Sequence, residues 1–144
     1  MAHRTIVLKG SPERQEYKAG GAITPGMLCR LQSDGTIIAN PWAGETVPKR
    51  IALENDLEGE AVSDAYASAE RVQTGVFKSG EEFAALLAFS QTIVIGDHLE
   101  PATGGYWQKH TQVTGTPDSA TLVEAKEAIT TDASTHTLCR VEAI

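Results

Sequence analysis

The chain has 144 residues, 41% of them hydrophobic and 22% charged, the size and balance of one globular domain. Twelve Lys and Arg against nineteen Asp and Glu give a net charge of −7, a poor match for a protein that works by neutralising phosphates. No apolar stretch approaches the roughly 18–20 residues that cross a bilayer, and Met1-Ala2-His3-Arg4 is not the start expected of a secretory signal.

The charge is unevenly spread. Residues 1–21 hold four basic side chains (Arg4, Lys9, Arg14, Lys18) against two acidic ones (Glu13, Glu16), a sum of +2. The other 123 residues hold eight against seventeen, a sum of −9. Such asymmetry marks interaction tails. Within the leader, Thr5-Ile6-Val7-Leu8 is a short apolar run, broken by Gly10-Ser11-Pro12 and ended by Gly20-Gly21. The composition suits an extended arm over residues 1–20, followed by a body over 21–144.

From Ala22 onward the pattern is β. Met27–Leu31 and Thr36–Ala39 flank Gln32-Ser33-Asp34-Gly35, and Asp-Gly between apolar runs predicts a hairpin. Asn40-Pro41-Trp42-Ala43-Gly44 is a loop, which makes Trp42 a candidate interface anchor. A short strand at Arg50–Leu53 precedes the acidic connection Glu54–Asp64. Arg71–Phe77 reads as a strand in which Gly75 suggests a bulge. Thr92–Ile95 is β-branched throughout, Gly104-Gly105 turns the chain into Tyr106–Lys109, Gly115–Ser119 is a loop, and Thr137–Val141 closes the chain.

Two segments are ambiguous. In Glu81–Phe89, Phe83, Leu86 and Leu87 fit a helical face, while Phe83, Ala85, Leu87 and Phe89 fit a strand. Ala, Leu and Glu favour helix there. Leu122–Ile129 divides in the same way between Leu122/Ala125/Ile129 and Val123/Ala125/Glu127/Ile129. Both are read as strands, because their neighbours are strands. Eight to ten short strands split by Gly and Pro predict an all-β barrel or sandwich.

Catalytic and metal motifs are absent. His3, His98, His110 and His136 form no His-x-His or His-x-x-x-His pair. Glu54–Glu60 opens like an EF-hand loop with Gly59 sixth, but position nine is Val62 and position twelve is Ala65, where a bidentate Glu is needed. There is no Gly-x-Ser-x-Gly elbow, and neither Gly pair is followed by the Lys-Ser/Thr of a phosphate loop. Cys29 and Cys139, in apolar surroundings, read as small buried hydrophobes. The expectation is a protein that is not an enzyme and uses no cofactor or metal.

Several stretches occur in a telling order: Gly21-Ala22-Ile23-Thr24-Pro25-Gly26-Met27-Leu28; Ala52-Leu53-Glu54-Asn55-Asp56-Leu57-Glu58-Gly59; Asp64-Ala65-Tyr66 leading to Arg71-Val72; Ala85-Leu86-Leu87-Ala88; and Ile95-Gly96-Asp97-His98-Leu99-Glu100 with Gly104-Gly105-Tyr106-Trp107-Gln108-Lys109. Over residues 21–144 the chain resembles head decoration (cement) proteins of tailed bacteriophages. The resemblance implies a β-tulip-like domain, assembled as a homotrimer on the outer surface of the head. There it would bind the major capsid protein and clamp neighbouring capsomers, with no nucleic-acid or membrane partner. The leader lies outside the matching part. On its own residues, Arg4, Ile6, Val7, Leu8 and Lys9 are expected to join Trp42 as interface residues, with Ile6-Val7-Leu8 adding a strand to a neighbour's sheet edge. The alternative for residues 4–9 is an ordinary first strand of the chain's own barrel. The alternative for the whole protein is a ligand- or carbohydrate-binding barrel with Trp42 and Trp107 lining a groove.

Overall fold

A computed structural model describes residues 3–44, 46–111 and 122–144. Thirteen short strands form an all-β, sandwich-like arrangement, and no α-helix occurs among the described residues. They are β1 (Val7–Lys9), β2 (Glu13–Lys18), β3 (Cys29–Leu31), β4 (Ile37–Ala39), β5 (Arg50–Ala52), β6 (Arg71–Val76), β7 (Glu82–Leu86), β8 (Thr92–Ile93), β9 (His98–Pro101), β10 (Trp107–Lys109), β11 (Val123–Ala125), β12 (Ile129–Thr130) and β13 (Leu138–Ala143).

One layer is an antiparallel sheet in the order β1-β7-β13-β11-β9-β10. The other joins the β2-β6-β5 sheet to the β3-β4 hairpin through the bridges Ala19–Ile37 and Leu28–Ile51, while β8 pairs with β12 separately. Apolar side chains from both layers, among them Ile6, Leu28, Ile51, Phe83, Trp107 and Val141, fill one core. Phe83 sits at its centre, with its ring 4.6 Å from Phe77 and 6.0 Å from Trp107. A second cluster, around Ile23, Ile37, Tyr66 and Val72, lies beneath the β2-β6-β5 sheet and the hairpin.

The ambiguous segment Glu81–Phe89 is resolved by its neighbours. β7 is flanked by β1 and β13 and is buried at every position. Its helical propensity amounts to a few tenths of a kcal/mol per residue, roughly, and two flanking ladders outweigh it. Leu122–Ile129 also contains strand, but as two pieces: β11 belongs to the large sheet and β12 pairs with β8. The Asp34-Gly35 hairpin forms as expected, with Gly35 at φ +86°.

Three expectations need correction. The leader is not a free arm. β1 pairs with β7, with Val7 opposite Phe83, and β2 runs opposite β6 over its whole length. Ile6 is wholly buried in the core, so the strand alternative holds for Val7–Lys9, with Ile6 packed just ahead of the strand and Arg4 and Thr5 outside it. Polar ties reinforce the position: Thr5 Oγ1 and the Ile6 N–H donate to the two oxygens of Glu54, and the Ser11 N–H donates to Glu81. Gly75, in turn, marks no bulge, since its register opposite Arg14 and Ile51 is regular. A Cβ there would stand 3.1 Å from Pro12 Cβ, so a close approach of chains explains the glycine. Finally, the strand at Thr92–Ile95 stops at Ile93. Asp97 accepts from the Val94 N–H, the Asp97 N–H donates back to Val94, and Gly96 turns at φ +94°.

The turn after Ile23 fixes the hairpin against the large sheet. Gly26 has φ +94°, and a Cβ would meet Leu138 Cδ2 at 2.7 Å. No other residue meets both conditions without strain. The expected loop at Gly115–Ser119 falls outside the described residues.

Candidate docking surface

Trp42 stands out on the surface. Its side chain is 52% exposed, in the loop after β4, yet the loop is anchored. The Asn40 side-chain amide donates to the Trp42 carbonyl at 2.9 Å, and the Gly44 N–H donates to the Pro101 carbonyl of β9 at 2.8 Å. The Arg30 guanidinium lies 4.1 Å from the centroid of the indole ring, within cation–π range. In β3, Cys29 points into the core, so alternation turns Arg30 outward, opposite Ile38. The result is a held aromatic–cation pair facing solvent. The sequence singles out Trp42 but not Arg30, because the pairing depends on hairpin register and no local spacing encodes it.

The other expected interface residues do not gather around this pair. Arg4 and Lys9 are exposed, Val7 and Leu8 are half-buried against the core, and Ile6 has no surface to offer. Trp107 is also wholly buried, which removes it from any binding groove and with it the paired-aromatic platform of the carbohydrate alternative.

A second feature carried no signal in the sequence. The His136 ring stacks on Phe89 at 3.9 Å and on Tyr106 at 3.7 Å, each tilted by 12°. Two parallel rings that close must occupy opposite faces, so the imidazole is the middle of a three-ring stack. Its Nδ1 donates to the Leu87 carbonyl at 2.8 Å, which fixes the ring's orientation. Beside it lies an open cavity of about 490 Å³ lined by Val62, Leu86, Tyr106 and Leu138 among others.

His3, His98 and His110 stand against carboxylates (Glu127, Glu124 and Glu100). Cys29 and Cys139 are buried and unpaired, and burial pushes both thiols up to about 12. At neutral pH they are therefore not thiolates. Among the described residues no group of three His, Cys, Asp or Glu could hold a metal. The Glu54–Glu60 segment is a single 3-10 turn over Asp56–Glu58, closed by Gly59 at φ +72°.

Glu127 links the leader to the large sheet, accepting from His3 and from the Arg140 backbone N–H. Burial pushes its carboxyl up, but these hydrogen bonds outweigh it and hold the pKa below the ordinary 4.5. A lowered folded value means that the ionised group stabilises the fold above 4.5, and that this is lost as the pH falls through the folded value. Glu127→Gln is therefore expected to lower the melting temperature at pH 7 and to match the parent in strong acid. Thermal melts across pH 2–7 check this; a gap that persists in acid would contradict it.

The fold is a two-layer all-β domain that carries an exposed Trp42–Arg30 pair on its surface. No protein-family model and no curated protein matches the chain. Among solved structures it is similar to the head fiber gp8.5 N base in bacteriophage phi29, with a TM-score of 0.61 and 12% identity. The match covers 93% of this chain and 95% of that one. At that identity the two share a fold.

Proposed function

We propose that the chain is a structural protein of a tailed-phage virion. It binds as a homotrimer to the major capsid protein on the outer surface of the head and clamps neighbouring capsomers. One observation carries the reading: the fold matches that of a phage head fiber base over nearly the whole length of both chains. The ordered motifs of residues 21–144 resemble head decoration proteins and support it independently.

The physical logic is linkage. A protein that binds the assembled lattice and not free subunits shifts the equilibrium toward the intact shell. Trimerisation turns three weak contacts into one strong attachment. Trp42 with Arg30 supplies the kind of aromatic and guanidinium anchor that dominates interfaces, while Arg4 and Lys9 offer basic contacts at the edge of the large sheet. The net charge of −7 keeps the protein from competing for packaged DNA.

Cryo-electron microscopy of undecorated heads incubated with the purified protein tests the reading. Added density on the outer shell at local threefold positions is the expected result. Heads that remain bare at saturating protein would overturn it.

A further inference from the structure

The β2 strand is unusual in its exposure. It is the outer strand of the β2-β6-β5 sheet, and five of its six residues are exposed. Its backbone orientation follows from the neighbouring ladder. The Leu53 N–H donates to Gln73 and the Phe77 N–H to Lys49, so odd-numbered residues of β6 turn their backbone groups toward β5. Val72, Thr74 and Val76 then face β2, opposite Tyr17, Gln15 and Glu13. Antiparallel partners face each other or face away together. The N–H and C=O groups of Arg14, Glu16 and Lys18 therefore point outward.

Among the described strands only β4 reaches that outer edge, and only at its far end, where Ala19 bridges Ile37; none lies beside it over Glu13–Tyr17. It is bounded at one end by Pro12, which has no N–H, and at the other by Gly20, whose N–H donates to Ile37 of β4. The open edge reads Glu13-Arg14-Gln15-Glu16-Tyr17-Lys18. Charged edges commonly prevent sheet-to-sheet association, so the arrangement of the signs decides whether this one is closed to every partner.

When two copies of one strand pair antiparallel about a two-fold axis, opposed residues must have the same parity, because only then do both present backbone groups to the shared edge. The axis therefore passes through a residue. Centred on Arg14, the pairing opposes Arg14 to itself. Centred on Glu16, it opposes Glu16 to itself and Arg14 to Lys18. Centred on Gln15, it opposes Arg14 to Glu16 of the second copy, twice, with Gln15 on the axis. A register centred on Tyr17 would oppose Glu16 to Lys18, but it needs the Lys18–Gly20 end of the edge, which β4 already lines through Ile37. Of the registers centred on Arg14, Gln15 and Glu16, the one on Gln15 alone joins opposite charges, and its two Arg14–Glu16 pairs are the outward-facing ones. They exchange four backbone hydrogen bonds while their side chains pair.

We infer that the β2 edge is a two-fold self-association surface whose occupant is the β2 edge of a second copy, in the register centred on Gln15. The inference goes beyond capsid binding and does not rest on it. Four backbone bonds and two exposed ion pairs make a weak contact in isolation. It gains strength where copies are held side by side.

Gln15→Cys in the full-length purified chain, without capsids, is the test. A non-hydrogen-bonded pair on the axis brings its Cα atoms to about 4.5 Å, within disulfide reach, and the native Cys29 and Cys139 are buried. Mild oxidation is expected to give a disulfide-linked dimer. Adding R14E sets like charges opposite each other and should slow cross-linking by roughly tenfold or more. The double reversal R14E/E16R restores opposite signs and should restore the rate, with unchanged melting temperatures showing that all variants fold. Two outcomes would overturn the inference. One is a Gln15→Cys variant whose new thiol reacts with a soluble reagent yet stays monomeric on oxidation. The other is cross-linking that ignores the charge reversals.

Discussion

Ile6→Ala should lower stability by about 2–5 kcal/mol, the usual cost of emptying a filled core site. At this chain length that corresponds to a fall of roughly 5–15 °C in melting temperature. Deleting residues 2–20 should have a far larger effect and leave a chain without a cooperative melt. The reason lies in what the segment covers. Ile6 is wholly buried, and its carbonyl accepts from the Ala84 N–H. Val7 sits opposite Phe83, at the centre of the aromatic cluster. Without the leader, β7 loses one of its two neighbours and β6 loses six paired residues. Backbone groups and apolar area that were buried would then face water. Circular dichroism melts of the two variants decide the matter. A truncated chain that melts like the parent would show that the leader is an appendage after all.

The leader shows where sequence reading reaches its limit. Its basic charge and breakers were visible, and so was the strand-forming run Ile6-Val7-Leu8. What that strand pairs with was not, because the partner, β7, lies about seventy-five residues away and itself reads as helix or strand. Local signals fared better. Asp34-Gly35 specified its hairpin through the turn it forms, and Cys139, Val141 and Ala143 alternate inward along β13 as their spacing requires. The candidate docking surface divides in the same way. An exposed Trp in a loop rich in Pro and Gly can be suspected from composition, whereas its cation, twelve residues earlier, becomes its neighbour only once β3 and β4 are in register. The three-ring stack joins residues 89, 106 and 136, whose spacing matches no local period. Only the assembled sheets bring them together.

Trp42→Ala should leave the fold intact and weaken attachment to heads by about thirtyfold or more. The first half follows from position. The indole is half exposed, and its ring contact is Arg30, on the outer face. Surface changes of this kind move stability by roughly 0.5 kcal/mol or less. The second half follows from how interfaces distribute energy. A few central Trp, Tyr and Arg residues each account for about 2 kcal/mol or more, and 1.4 kcal/mol is a factor of ten. Trp42 enters binding already ordered, since Asn40, Gly44 and Arg30 hold its loop and ring, so little side-chain freedom remains to be lost on docking. Three copies acting together would compound the loss. Arg30→Lys refines the test: it keeps the charge but removes the planar group that stacks on the indole, so binding should fall between parent and Trp42→Ala. Sedimentation of heads with labelled protein measures all three. If Trp42→Ala binds as tightly as the parent while melting normally, the Trp42–Arg30 pair is not the anchor, and attachment must run through another face.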